Sequence, residues 1–179
     1  MADVKIYPNV HIGPGAQIGD YVIIGEPPRG KAPGELQTVI GAGAVIRSHT
    51  VIYAGNRIGE RFQTGHGAMI REENEIGNDV SIGTGSIVEY HIVIEDGVRI
   101  QSQSLIAEYS KLQERCWLGP HVVLTNVLHP LCPMAKACLK GAIIGRRAKI
   151  GANATILPDC VVGDDAVVGA GSLVTHDVP

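Results

Sequence analysis

The stretch IGAGAV IRSHTV IYAGNR IGERFQ TGHGAM IREENE IGNDVS IGTGSI VEYHIV IEDGVR IQSQSL IAEYSK LQERCW LGPHVV LTNVLH, from Ile40 to His129, decides the fold. Written in sixes, it sets an aliphatic residue at the head of every block but one, which Thr64 opens. Gly is the commonest second residue; two variable positions, a small residue and one more complete the block. The beat also covers Ile12 to Ile24 and returns from Ile144 to Val174. A repeat this long governs the architecture and is read first.

Helices space apolar residues by three or four and simple strands alternate. Six suits neither, but it suits a short strand ending in a tight corner. The aliphatic residue points inward, and the Gly after it is expected to supply the positive φ of the corner. The small fifth residue, usually Ala, Ser, Thr, Val or Cys, sits beside the aliphatic column. Three such sides close a triangular coil, and successive coils pair as parallel strands about 4.8 Å apart. Adding one coil of eighteen residues reads the stack directly. Asn56 falls under Asn74 as an internal asparagine ladder, and Asn126 lies over Glu108, Tyr90 and Glu72 along one corner.

This spacing resembles the hexapeptide repeat of left-handed parallel β-helix proteins over nearly the whole chain. The hand is implied by that resemblance, since parallel crossovers otherwise favour the right. The expected fold is all-β: one solenoid domain, 1–179, with loops protruding at about 26–38 and 126–142.

Composition agrees with a thin aliphatic core: among 179 residues there is one Phe and one Trp, against 23 Gly. Each coil buries little by itself and leans on its neighbours. A net charge of −3 without a basic stretch argues against nucleic acid as a partner. No apolar run approaches membrane-spanning length and no signal-peptide pattern opens the chain, so a cytoplasmic protein is expected. Of the four cysteines, Cys116 and Cys160 fall on inward positions. Cys132 and Cys138 share a loop with His129, where a fourth zinc ligand is missing from the local sequence; free thiols and no metal are expected.

The repeat breaks twice. EPPRGKAPGELQT, Glu26 to Thr38, carries Arg29 and Lys31; it reads as a loop packed on a neighbouring coil or subunit, with a phosphate contact as the alternative. NVLHPLCPMAKACLKGA, Asn126 to Ala142, is long for a compact repeat protein and holds a His-Pro step, two cysteines and two lysines. The chemistry is expected here.

From Cys116 to Pro179 the chain resembles acetyl-CoA-dependent hexapeptide acyltransferases. LGPHVVLTNVLHP and GAIIGRRAKIGANATILPDCVVGDDAVVGAGSLVTHDVP look most like bacterial N-acetyltransferases of nucleotide-linked amino sugars. The resemblance implies His129 as the general base, a role suited to a neutral imidazole near pH 7. It implies acceptor contacts from Asn126 in LTN, Gln101 in IQSQS and His66 in TGHGAM. Gln101 stands in the corner slot usually held by Gly, which a corner hydrogen bond would explain. His11, His49, His91 and His121 occupy variable outward positions that need no function, and His66 shares that kind of position. For acetyl-CoA the resemblance implies Ala152, Ala170, Thr175 and His176. His176 stands where relatives usually have Lys, so Arg146, Arg147 and Lys149 are alternative sources of positive charge.

Relatives often continue past such an ending or carry an N-terminal dinucleotide-type domain. A nucleotide moiety is therefore expected on coils and loops, Glu26 to Thr38 among them. The family forms trimers in which a neighbouring subunit completes each site, so a homotrimer is expected. The reading is an acetyl-CoA-dependent N-acetyltransferase, with sugar O-acetylation or a non-catalytic assembly module as alternatives. A zinc carbonic anhydrase on this coil would need two histidines five residues apart, and the seven here offer no such pair.

Overall fold

A computed structural model of the protein describes residues 3–179. Short strands, most of two residues, follow one another around three parallel sheets of nine, eight and eight strands. Every third strand returns to the same sheet, as in Val51–Tyr53, Met69–Ile70 and Ile87–Val88. This is a triangular parallel β-helix, and with its hexapeptide repeat it is the left-handed solenoid expected. We call face 1 the sheet holding Val51–Tyr53, face 2 the one holding Arg57–Ile58 and face 3 the one holding Gln63–Thr64.

Ile40, Ile46, Ile52, Ile58, Ile70 and Ile76 are all buried, and so are the fifth-position residues between them, Phe62 included. Thr64 keeps its place in the aliphatic column because its hydroxyl is spent inside. It meets the Thr50 hydroxyl at 3.0 Å and accepts from Arg47 N at 2.9 Å. The asparagine ladder is present. Asn56 Oδ1 accepts from Asn74 N at 3.0 Å, and Asn74 Oδ1 accepts from Ile92 N at 2.8 Å. Their amide NH2 groups donate to the Tyr53 and Arg71 carbonyls, so among the described residues the core carries polar atoms without an unpaired buried one.

The corners depart from the sequence reading. Positive φ falls on the fourth residue of the block, as at Gly43 (70°), Arg61 (54°), Gly85 (65°) and His91 (55°), whereas the second-position Gly41, Gly59, Gly77 and Gly83 have ordinary φ. Their reason for being glycine is proximity. A Cβ on Gly83 would lie 2.4 Å from Ser102 N, and one on Gly41 2.5 Å from the Gly59 carbonyl carbon. The next coil passes too close for any side chain to lean inward.

Both interruptions leave from one edge. The first lies between Ile23–Glu26 on face 1 and Thr38–Ile40 on face 2, and pairs Val10 with Thr38, twenty-eight residues on. The second lies between Val123–Leu124 on face 1 and Ile143–Ile144 on face 2, and pairs Lys111 with Ile143, thirty-two residues on. The first loop packs on the first coil, with Asn9 Nδ2 donating to Gly34 O at 3.1 Å and Thr38 N to Asn9 O at 3.0 Å.

Gly83→Ala is expected to cost about 3 kcal/mol or more, because the added methyl forces two coils apart. Gly85→Ala, at a position whose equivalents hold Arg, His and Gln, is expected to cost about 1 kcal/mol of left-handed backbone strain. Denaturant unfolding of the two variants measures the order, and equal losses would contradict it.

Candidate active site

Asn126 and His129 stand on the edge between faces 1 and 2, at the start of the second loop. Asn126 is 8% exposed, and its Nδ2 donates to the Glu108 carboxylate one coil below. Its carbonyl accepts from Lys140 N at 3.0 Å, which pins the far end of the loop beside the near end. Lys140 is held in turn by Asp159, Nζ to Oδ2 at 2.6 Å. Between these ties the loop runs outward through a 3-10 turn, Ala135–Cys138. His129 is exposed in it, and its carbonyl accepts from Cys132 N at 3.0 Å.

The same edge below the loop carries an organised polar column that the sequence analysis read only as a stacking pattern. Arg71 donates to both Glu72 oxygens, at 2.8 and 3.0 Å, and reaches Glu89 at 3.4 Å. Its guanidinium lies 5.0 Å from the Tyr53 ring centre and 5.9 Å from that of Tyr90. Burial pushes the Glu89 carboxyl above the usual range against the pull of Arg71, with Glu108 and Glu72 adding to the rise. Burial, then Glu108, likewise raises Tyr90. Adding eighteen from Tyr53 and Glu72 finds these partners; the signal missed is that they lie on the edge both loops use.

Gln101 and His66 lie on a different edge, between faces 3 and 1. Gln101 follows Arg99–Ile100 on face 3 and precedes Leu105–Ile106 on face 1. The corner hydrogen bonds there go to its carbonyl, which accepts from Ser86 Oγ at 2.9 Å and Ser104 Oγ at 3.0 Å. Its side chain makes none among the described residues, so the expected explanation of the departure from Gly is not the one found. His66 is exposed, with Nδ1 2.8 Å from Ser48 Oγ.

The cofactor candidates divide the same way. Ala152 and Ala170 line the edge between faces 3 and 1, where a Cβ on Gly171 would meet nothing within 4 Å. A side chain added there would project into open space, as one at Gly67 would on the same edge. Thr175 and His176 lie across face 1 on the other edge, 2.9 Å from each other, Oγ1 to Nδ1. Arg146 and Arg147, the alternative sources of charge, lie apart from both groups. They sit on the third edge, with Arg147 bound to both Asp165 oxygens at 2.7 and 2.6 Å and Arg146 3.8 Å from Asp164. Among the described residues no three His, Cys, Asp or Glu side chains gather as a metal site requires.

The chain therefore holds the candidates along both margins of face 1, and face 1 between them is mostly apolar. Its outward ladder runs Ile23, Val51, Met69, Ile87, Leu105 and Val123, with Lys5 before them and Thr155 and Leu173 after. Faces 2 and 3 are mixed, with Arg57, Glu75 and Lys111 on one and Gln63, Arg99 and Trp117 on the other.

Residues 1–26 and 141–176 match the bacterial transferase hexapeptide (six repeats) family. The repeat of six that the sequence shows is the one this description names. The solenoid is 30% identical over 177 residues to the bifunctional protein GlmU of Clostridioides difficile, covering 99% of this chain and 35% of that one. It is 31% identical over 182 residues to GlmU of Carboxydothermus hydrogenoformans, covering 99% and 36%. The chain thus spans about a third of the length of these curated relatives. Among solved structures, LpxA of Acinetobacter baumannii aligns at a TM-score of 0.48 and 21% identity, over 98% of this chain and 66% of that one. A GDP-perosamine N-acetyltransferase of Caulobacter crescentus, solved with CoA and GDP-perosamine, aligns at 0.38 and 20%, over 99% and 50%.

Burial pushes the Cys116 thiol of the solenoid up to about 12 and raises Cys160, while Cys132 and Cys138 are exposed. Since the thiolate is the reactive form, a maleimide added to folded protein is expected to label Cys132 and Cys138 within minutes. Cys116 is expected to react only on unfolding; peptide mass mapping that finds it labelled first would contradict the packing.

Proposed function

We propose that this chain is an acetyl-CoA-dependent N-acetyltransferase acting on a nucleotide-linked amino sugar, with the solenoid as a single catalytic unit in a homotrimer. The observation that carries the reading is the division of the candidates along the two margins of a mostly apolar face. If face 1 of three copies turns toward a threefold axis, each copy sets its Asn126–His129 edge beside the Gln101–His66 edge of the next. The edge at Ala152 and Ala170 then lies across the cleft from Thr175 and His176. A cleft built this way is repeated three times and is incomplete in one copy.

Within it the chemistry is direct transfer. The amine nitrogen of the sugar attacks the thioester carbonyl carbon, the C–S bond breaks, and CoA leaves as its thiol. His129 takes the proton that the amine sheds and returns it to the departing sulfur. Asn126 Oδ1 accepts from the amine, and backbone N–H groups beside the loop stabilise the oxyanion. Holding both reactants in one cleft supplies much of the acceleration. The N-acetyltransferase-like LTN and GANATILP segments support an amine acceptor.

The test is thiol release from acetyl-CoA with UDP-, dTDP- and GDP-linked amino sugars beside plain hydroxyl acceptors. Turnover on an amino sugar supports the proposal; turnover only on a hydroxyl acceptor replaces it with O-acetylation. Absence of turnover, with no thermal shift from CoA, leaves an assembly module. His129→Ala is expected to lower kcat about 100-fold with the trimer intact, and a near-normal kcat would remove His129 from the mechanism. Leu105→Glu, at the centre of face 1, is expected to give monomers by light scattering and no turnover; an active monomer would sink the shared cleft.

A further inference from the structure

We propose that Glu108 is a positioning residue for this transfer, acting through Asn126. The inference rests on the acetyltransferase reading above and adds to it a residue that the resemblance does not supply.

A side-chain amide has a donor end and an acceptor end of nearly equal size, and which end faces a substrate matters. Asn126 faces Glu108, and an ionised carboxylate only accepts hydrogen bonds. The NH2 end is therefore drawn down toward Glu108, as the structure shows. Oδ1 is left on the opposite side. It has no hydrogen-bond partner among the described residues, yet it is not sealed from solvent. A residue more than nine-tenths buried thus keeps one acceptor atom open at the mouth of the loop that carries His129. An incoming amine offers N–H groups, which Oδ1 accepts; the flipped amide would present a donor and turn the amine away.

Glu108 stands between Asn126 one coil above and the Tyr90 phenol one coil below, whose ionisation its charge opposes, while the cation of this edge is engaged elsewhere. Arg71 binds Glu72 through two hydrogen bonds and reaches Glu89 at 3.4 Å. Glu108 forms no ion pair among the described residues, and its oxygen goes to Asn126. The repeat dictates the pairing, since one coil separates the two positions and sets their side chains in one outward column. The same column holds Ala54 three coils earlier in an intact corner, so an alanine at 108 is compatible with the fold.

The experiment compares wild type with Glu108→Ala, Glu108→Gln, Asn126→Ala and the Glu108→Ala/Asn126→Ala pair, measuring kcat and both KM values on the amino-sugar acceptor. Light scattering and thermal unfolding follow each variant. Glu108→Ala is expected to lose about tenfold or more in kcat, the range of one charged hydrogen bond, with the KM for acetyl-CoA unchanged. Glu108→Gln keeps an acceptor oxygen toward Asn126 and is expected to stay within about twofold of wild type. In the Asn126→Ala background, Glu108→Ala is expected to cost nothing further, because residues acting as a unit are not additive.

Near-wild-type activity of Glu108→Ala overturns the proposal. So does a Gln variant as damaged as the Ala variant, which would assign the effect to charge, and so do losses that multiply in the double variant. Wild type that releases no thiol with any acceptor overturns the acetyltransferase reading itself, a result distinct from each of these.

Discussion

Everything in this molecule depends on the hydrogen-bonded register between one coil and the next. Each strand has only two to four residues, too few to stand without neighbours. Its backbone is satisfied by the coils above and below, and its inward residue completes a column that runs the length of the prism. Stability of this kind is built from nearest-neighbour interfaces. Two devices hold the spacing. Glycine at the second position lets backbones approach, as Gly41 does to Gly59, and the Asn56–Asn74 ladder carries hydrogen bonds through the core from coil to coil.

The same constraint decides where function can sit. An insertion inside a strand would break three sheets' worth of register, so added chain must leave at a corner and return in step. The two insertions use the same edge, and the return of the second is tight: a Cβ on Gly141 would lie 2.1 Å from Ser110 N. Between them the column of Tyr53, Arg71 and Glu89 runs beside that of Glu72, Tyr90 and Glu108. A rigid edge with a loop at its head is a means of holding His129 near fixed groups while the rest of the solenoid stays uniform.

Charge follows the edges as well. On the edge between faces 2 and 3, Arg61 meets Asp79 and Arg147 meets Asp165 one coil apart, and each arginine holds its aspartate below the ordinary carboxylate range. These pairs are exposed and add little to stability. On the edge between faces 1 and 2 the carboxylates outnumber the cation that binds them, and Glu89 rises where the aspartates fall. The contrast separates an edge of closed pairs from one that retains open polar atoms.

The sequence by itself determined the coil, the inward columns, the asparagine ladder, the buried state of Cys116 and Cys160, and the places where the repeat stops. It could do so because a period of eighteen converts sequence separation directly into spatial contact. It also placed Asn126 over Glu108, since no insertion intervenes. Only the tertiary structure decided which residue carries the positive φ, because corner geometry depends on how the adjacent coil crowds the second position. It alone showed that Gln101 and His66 stand on a different edge from Asn126 and His129, that Arg146 and Arg147 are tied to aspartates on the third, and that the face between the candidate edges is mostly apolar. Those facts depend on which of three sheets a given strand joins, and a repeating pattern is the same for all three.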